Sequence, residues 1–178
     1  MRPPILALVI GINEYQCFPQ LAGAVADADA FEEFLKDTLG VPSADIISLR
    51  DAEASRQAIV NGFTTLRDNP KFGKDECAIV IYFAGHGAQV DKPPGWEDWQ
   101  TPTGKIEILC PSDYGVERSG ILTQGIPDRT ISKLVNHISD IKGNNIVSFL
   151  TNKSFMKKSS FHSLDFDLRL LSLWWSSS

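Results

Sequence analysis

No cysteine follows Cys110 in this 178-residue chain, and only three are present, Cys17, Cys77 and Cys110. An odd number at wide spacing makes neither a disulfide framework nor a zinc pattern. It points to a reducing compartment, the cytoplasm. No apolar run approaches the ~20 residues of a membrane span. The apolar start, Ile5 to Ile12, is short, lacks a small-residue cleavage pattern and leads directly into Asn13-Glu14-Tyr15, so it reads as a core strand and not as a signal peptide. An excess of positive charge is missing too. The net charge of −5 argues against a general nucleic-acid binder. There is no internal repeat. There is also no G-x-S-x-G elbow, no G-x-G-x-x-G after a strand and no G-x-x-x-x-G-K-[ST] loop, which leaves an unrelated small-molecule hydrolase or nucleotide binder without support.

What is present is enough apolar material for one domain: 43% hydrophobic residues against 22% charged. Ile5–Ile10 and Ile46–Leu49 read as strands. Cys77–Phe83, uncharged and rich in β-branched and aromatic residues, reads as a strand buried on both faces in the middle of a parallel sheet. Between them lie helical patterns. From about Gly23 to Leu39 a helix is expected, since Leu21, Val25, Ala28, Phe31, Leu35 and Leu39 recur at three- and four-residue spacing, and Gly40 with Pro42 ends the run. Ser55 caps a second helix carrying Ile59, Phe63 and Leu66 on its inner face. A third opens near Asp128 with Ile131, Leu134, Val135 and Ile138, and Ile146–Leu150 is a fourth strand. Strands alternating with helices predict a parallel sheet with helices on both faces. Gln89 to about Asp128 reads as one long loop with a single strand candidate, Ile106–Leu109, and holds Trp96 and Trp99, which suit a substrate lip, a partner surface or loop packing. Residues 151–178 change character. They are serine-rich, carry no clean period and are expected to be a divergent tail outside the 1–150 domain.

The chemistry centres on Gly85-His86-Gly87, directly after the central strand. In parallel sheets the loops at the carboxyl ends of strands carry the chemistry, and His86 is placed in such a loop. Its flanking glycines let a substrate approach the backbone closely. His137 falls on the solvent side of the third helix. Cys77 reads as core packing, Cys17 as a loop thiol with no visible base, and Cys110 as a poor candidate nucleophile.

In order along the chain stand Gly11-Ile12-Asn13-x-Tyr15, Leu21-x-Gly23-x-Val25-x-Asp27-Ala28, Tyr82-Phe83-Ala84-Gly85-His86-Gly87, Pro111-Ser112-Asp113-Tyr114, Ile126-Pro127-Asp128 and the apolar Ile146–Leu150. Over roughly residues 5–150 this series resembles the caspase-like cysteine peptidases, most closely the metacaspase branch. The resemblance implies an αβα sandwich around a mostly parallel sheet, and an endopeptidase that cuts after Arg or Lys. It implies that His86 is the catalytic histidine, that the amide of Gly87 is an oxyanion donor, and that Asp27 lines the pocket for a basic P1 side chain. It also implies a possible calcium requirement, with Asp113 and Asp128 near the family's ligand positions.

One part of the family pattern is absent. The nucleophile in these peptidases follows the fourth strand in a segment close to Asp-Cys-Cys-His-Ser-Gly. Here that strand is followed by Thr151-Asn152-Lys153-Ser154-Phe155. The expectation is a caspase-like domain cut off before its nucleophile and lacking its C-terminal strands, by a retained intron, a frameshift or an alternative transcript, and inactive alone. The alternative is a non-catalytic pseudo-protease that binds a homologous full-length chain through sheet edges or the long loop. An unpaired edge on the fourth strand predicts oligomerisation or poor solubility.

Overall fold

The computed structural model describes residues 4–99, 101 and 103–152; the tail expected at 151–178 lies almost wholly outside them. Among the described residues nine strands and three α-helices follow one another: β1 (Ile5–Gly11), α1 (Ala24–Glu33), β2 (Ile46–Arg50), α2 (Arg56–Asp68), β3 (Ala78–Gly85), β4 (Gly87–Asp91), β5 (Lys105–Leu109), β6 (Glu117–Arg118), β7 (Ile121–Leu122), β8 (Ile126–Pro127), α3 (Asp128–Lys142) and β9 (Ile146–Asn152). Helix α1 runs on into one wide turn at Phe34–Thr38 before Gly40 stops it.

The central sheet has the order β2-β1-β3-β9, and every pairing in it is parallel. Alternation along β1 and β3 sorts their side chains between two cores. Leu6, Leu8 and Ile10 of β1, with Ile79, Ile81 and Phe83 of β3, face α2 and α3. Ala7, Val9, Val80, Tyr82 and Ala84 face α1, where Phe31 stacks on Tyr82 with ring centroids 4.4 Å apart. Burying a side chain the size of Phe83 or Ile81 contributes about 1.5–3 kcal/mol. The result is an αβα sandwich, as expected.

The segment expected at 89–128 to be a long loop with one strand is largely irregular, but it holds further strands beside β5. β4, β5 and β8 form a three-stranded antiparallel sheet, and β6 with β7 forms a small hairpin. The smaller sheet lays Ile106, Ile108, Leu109 and Ile126 against the α2/α3 core. Trp96 and Trp99 are half-buried against that same core, and the Arg129 guanidinium lies 5.2 and 5.0 Å from their ring centroids. Packing, the blandest of the three roles expected for them, is what the structure gives the two tryptophans.

One glycine sets how closely α1 lies on the sheet. A Cβ at Gly11 would stand 2.6 Å from the Ala28 Cβ and 2.9 Å from the Ala24 carbonyl oxygen, both fixed in the helix. Gly11→Val forces α1 outward. It is expected to lower unfolding free energy by about 1–3 kcal/mol, read as a shifted midpoint in urea denaturation.

Candidate active site

The segment between β1 and α1 crosses the carboxyl end of the sheet, and four contacts fix its path. The Ile12 amide donates to the Ala84 carbonyl at 2.9 Å, and the Leu21 amide closes the loop onto the Asn13 carbonyl at 2.9 Å. The Asn13 side chain accepts from the Val25 amide in the first turn of α1. The fourth contact comes from Asp51, just past β2, whose carboxylate accepts from the amides of Asn13 at 2.7 Å and Glu14 at 2.9 Å. Asp51 holds φ at +43°, a conformation that Asp tolerates better than most residues.

That loop delivers Tyr15, Phe18 and Pro19 to His86. The imidazole Nε2 lies 2.8 Å from the Pro19 carbonyl oxygen. A carbonyl only accepts, so Nε2 carries the hydrogen and the lone pair of the neutral ring falls on Nδ1. The ring is half-buried and walled by aromatics. Tyr15 lies edge-on at 4.8 Å between centroids, Phe18 sits at 5.1 Å, and Tyr114 stacks behind Phe18 at 5.3 Å. His86 is not in a loop, as its flanking glycines suggest. It is the single residue between β3 and β4.

Gly87 opens β4 beside the imidazole and pairs with Leu109. Asp27 stands on the exposed side of the first turn of α1. Asp113 accepts from the Arg56 amide at 2.8 Å and so helps Ser55 cap α2. Asp128 accepts from the Arg129 amide at 2.7 Å in the first turn of α3. Calcium takes 6–8 oxygen ligands. Among the described residues no group of three His, Cys, Asp or Glu side chains is placed to hold a metal.

Among the described residues no thiol hydrogen-bonds to the imidazole. Cys77 and Cys110 are buried and Cys17 is exposed; all three are free. Burial pushes the Cys110 thiol from its ordinary 9.0 up to about 12, the opposite of what a nucleophile needs.

The model of the caspase domain family matches residues 5–148. The chain belongs to the caspase family. Metacaspase-8 of Arabidopsis thaliana is 27% identical over 136 residues, covering 75% of this chain and 33% of that protein. Metacaspase-1 of Lodderomyces elongisporus is 29% identical over 112 residues, covering 61% of this chain and 25% of the relative. The caspase domain here is therefore of the metacaspase branch, and the chain spans about a quarter to a third of the length of these relatives. In three dimensions it is similar to a crystal structure of a protein from Geobacter sulfurreducens, with a TM-score of 0.58 and 17% identity over 83% of this chain and 49% of that one. That likeness bears on the fold alone.

Three contributors to this caspase-domain site escape sequence reasoning. Pro19 acts through its backbone carbonyl, which no residue type advertises. Phe18 and Asp51 lie 68 and 35 positions from His86 and meet its surroundings only through the fold. The one signal available is the run of aromatics around Tyr15, which stands in the same motif as Asn13.

Two outcomes test this description. Asp51→Asn keeps an acceptor oxygen and tolerance of positive φ but forfeits the charge. A loss of about 1 kcal/mol is expected, with faster hydrogen exchange at the Asn13 and Glu14 amides. For the thiols, a neutral alkylating reagent at pH 8 should label Cys17 in the native chain and spare Cys77 and Cys110 until denaturant is added. Because the folded Cys110 thiol holds its proton more tightly than the unfolded one, its contribution to stability is complete below pH 9 and lost between pH 9 and about 12; denaturation midpoints measured across that range should fall.

Proposed function

We propose that this chain carries the general-base half of a cysteine endopeptidase site with a preference for Arg or Lys at P1. The observation that carries the reading is the Nε2 contact to Pro19, which leaves the Nδ1 lone pair of His86 to take a proton. In a site of this kind a thiol gives its proton to Nδ1, and the thiolate attacks the scissile carbonyl carbon. The π electrons of that carbonyl move onto oxygen, where the Gly87 amide is the donor assigned to them. Each such donor contributes roughly 3–4 kcal/mol of transition-state stabilisation. The imidazolium then returns the proton to the departing amine nitrogen. Asp27, exposed at the start of α1, is the carboxylate we assign to a basic P1 side chain. The three free thiols fit a reducing, cytoplasmic setting.

The 178-residue chain itself is proposed to be inactive. Of its cysteines, two are buried and the exposed Cys17 has no hydrogen bond to His86. Fluorogenic peptides ending in Arg or Lys, offered with and without calcium, should not be turned over. Turnover that disappears in His86→Ala would overturn the inactivity.

A second reading, a pseudo-protease module, draws on the sheet edge. Among the described residues β9 pairs only with β3, and Leu150 on it is half-exposed. Co-purification of this chain with an intact metacaspase, lost when a lysine or proline is placed in β9, would favour that reading over the first.

A further inference from the structure

The structure assigns Tyr15 a positioning role: its hydroxyl is inserted into the β4–β5 ladder and sets the direction in which His86 leaves the sheet. The assignment gives the first reading above a residue that aims its base, and its test reads the imidazole directly without any turnover.

The register shows the insertion. Gly87 is opposite Leu109, so the next pair out is His86 with Cys110. In an antiparallel ladder such a pair exchanges two backbone hydrogen bonds. One of them is made, from the Cys110 amide to the His86 carbonyl at 3.0 Å. The other is replaced. The His86 amide donates to the Tyr15 hydroxyl at 2.8 Å, and that hydroxyl donates to the Cys110 carbonyl at 3.3 Å. One phenol oxygen, accepting once and donating once, fills the gap.

The gap exists because the chain changes sheets here. Up to Gly85 the strand pairs in parallel with β1 and β9; from Gly87 it pairs antiparallel with β5. Packing holds the phenol in place. Tyr15 is buried, and a Cβ at position 85 would stand 2.6 Å from its hydroxyl and 2.9 Å from the Phe83 ring. The glycine before His86 is therefore needed to admit Tyr15, whatever it does for a substrate. Burial also raises the Tyr15 pKa well above that of a free phenol, so the bridging proton stays in place through the physiological range. The ring of the same residue lies edge-on to the imidazole, so one side chain constrains both the backbone and the ring of His86.

The test is Tyr15→Phe in the full chain, which keeps the ring and removes the bridge. Long-range nitrogen–proton correlation of the His86 ring in the native chain should show two well-separated nitrogens, the pattern of one Nε2–H tautomer. In Tyr15→Phe the two should converge toward an averaged position and broaden, while the core methyl resonances of Leu8 and Ile59 keep their native dispersion. A variant with native dispersion and an unchanged His86 pattern would overturn the positioning role. If the variant does not fold, the native chain still decides. Its Tyr15 hydroxyl proton should exchange slowly and show a cross-relaxation peak to the His86 amide, and a rapidly exchanging hydroxyl without that peak would overturn the assignment.

Discussion

The turn from β3 into β4 is the constraint on which the carboxyl end of this molecule depends. A central strand, buried on both faces, must end in the sheet's interior, yet the residue that follows it has to present a polar ring outward. The chain resolves this within three residues. Gly85 completes the parallel sheet, His86 turns, and Gly87 begins an antiparallel partnership with β5. A turn that sharp breaks a backbone pairing, and an unpaired amide or carbonyl away from water is costly. The Tyr15 phenol supplies both missing partners.

Seen from that turn, distant parts of the sequence acquire a common purpose. Asp51 fixes the amides of Asn13 and Glu14, and those fix the loop that brings Tyr15 to the ladder and Pro19 to Nε2. Asp113 sits in the segment after β5 and caps α2, which ties the smaller sheet to the helix layer. The two aspartates do similar work, each satisfying backbone donors where a segment changes direction.

How much of this was legible in the sequence follows from how far each signal reaches. Strands β1 and β3 and the inner faces of α2 and α3 are written in local hydrophobic period, and the structure keeps them within a residue or two. His86 was legible because its glycines and preceding strand are contiguous. Of the smaller sheet only β5 was, as the candidate Ile106–Leu109. Gly87–Asp91 is a five-residue strand of which only Gly87 is buried, and its residues also read as loop; β6, β7 and β8 are two residues each. Their pairing is decided by tertiary register and not by composition. The wide turn at Phe34–Thr38 is equally invisible, since its residues continue an ordinary helical pattern.

The thiols complete the argument about chemistry. A nucleophilic cysteine needs exposure, a cationic or basic neighbour, or both. Cys110 is one residue past β5, and its backbone is hydrogen-bonded directly to His86, so by chain position it looks well placed. Its side chain is instead fully buried in the α2/α3 core. The backbone of that residue holds the histidine while its sulfur is kept as packing. Proximity along the ladder and access to the imidazole are thus separate properties. A sulfur that served His86 would have to arrive on the Nδ1 side of the ring, away from the Pro19 carbonyl.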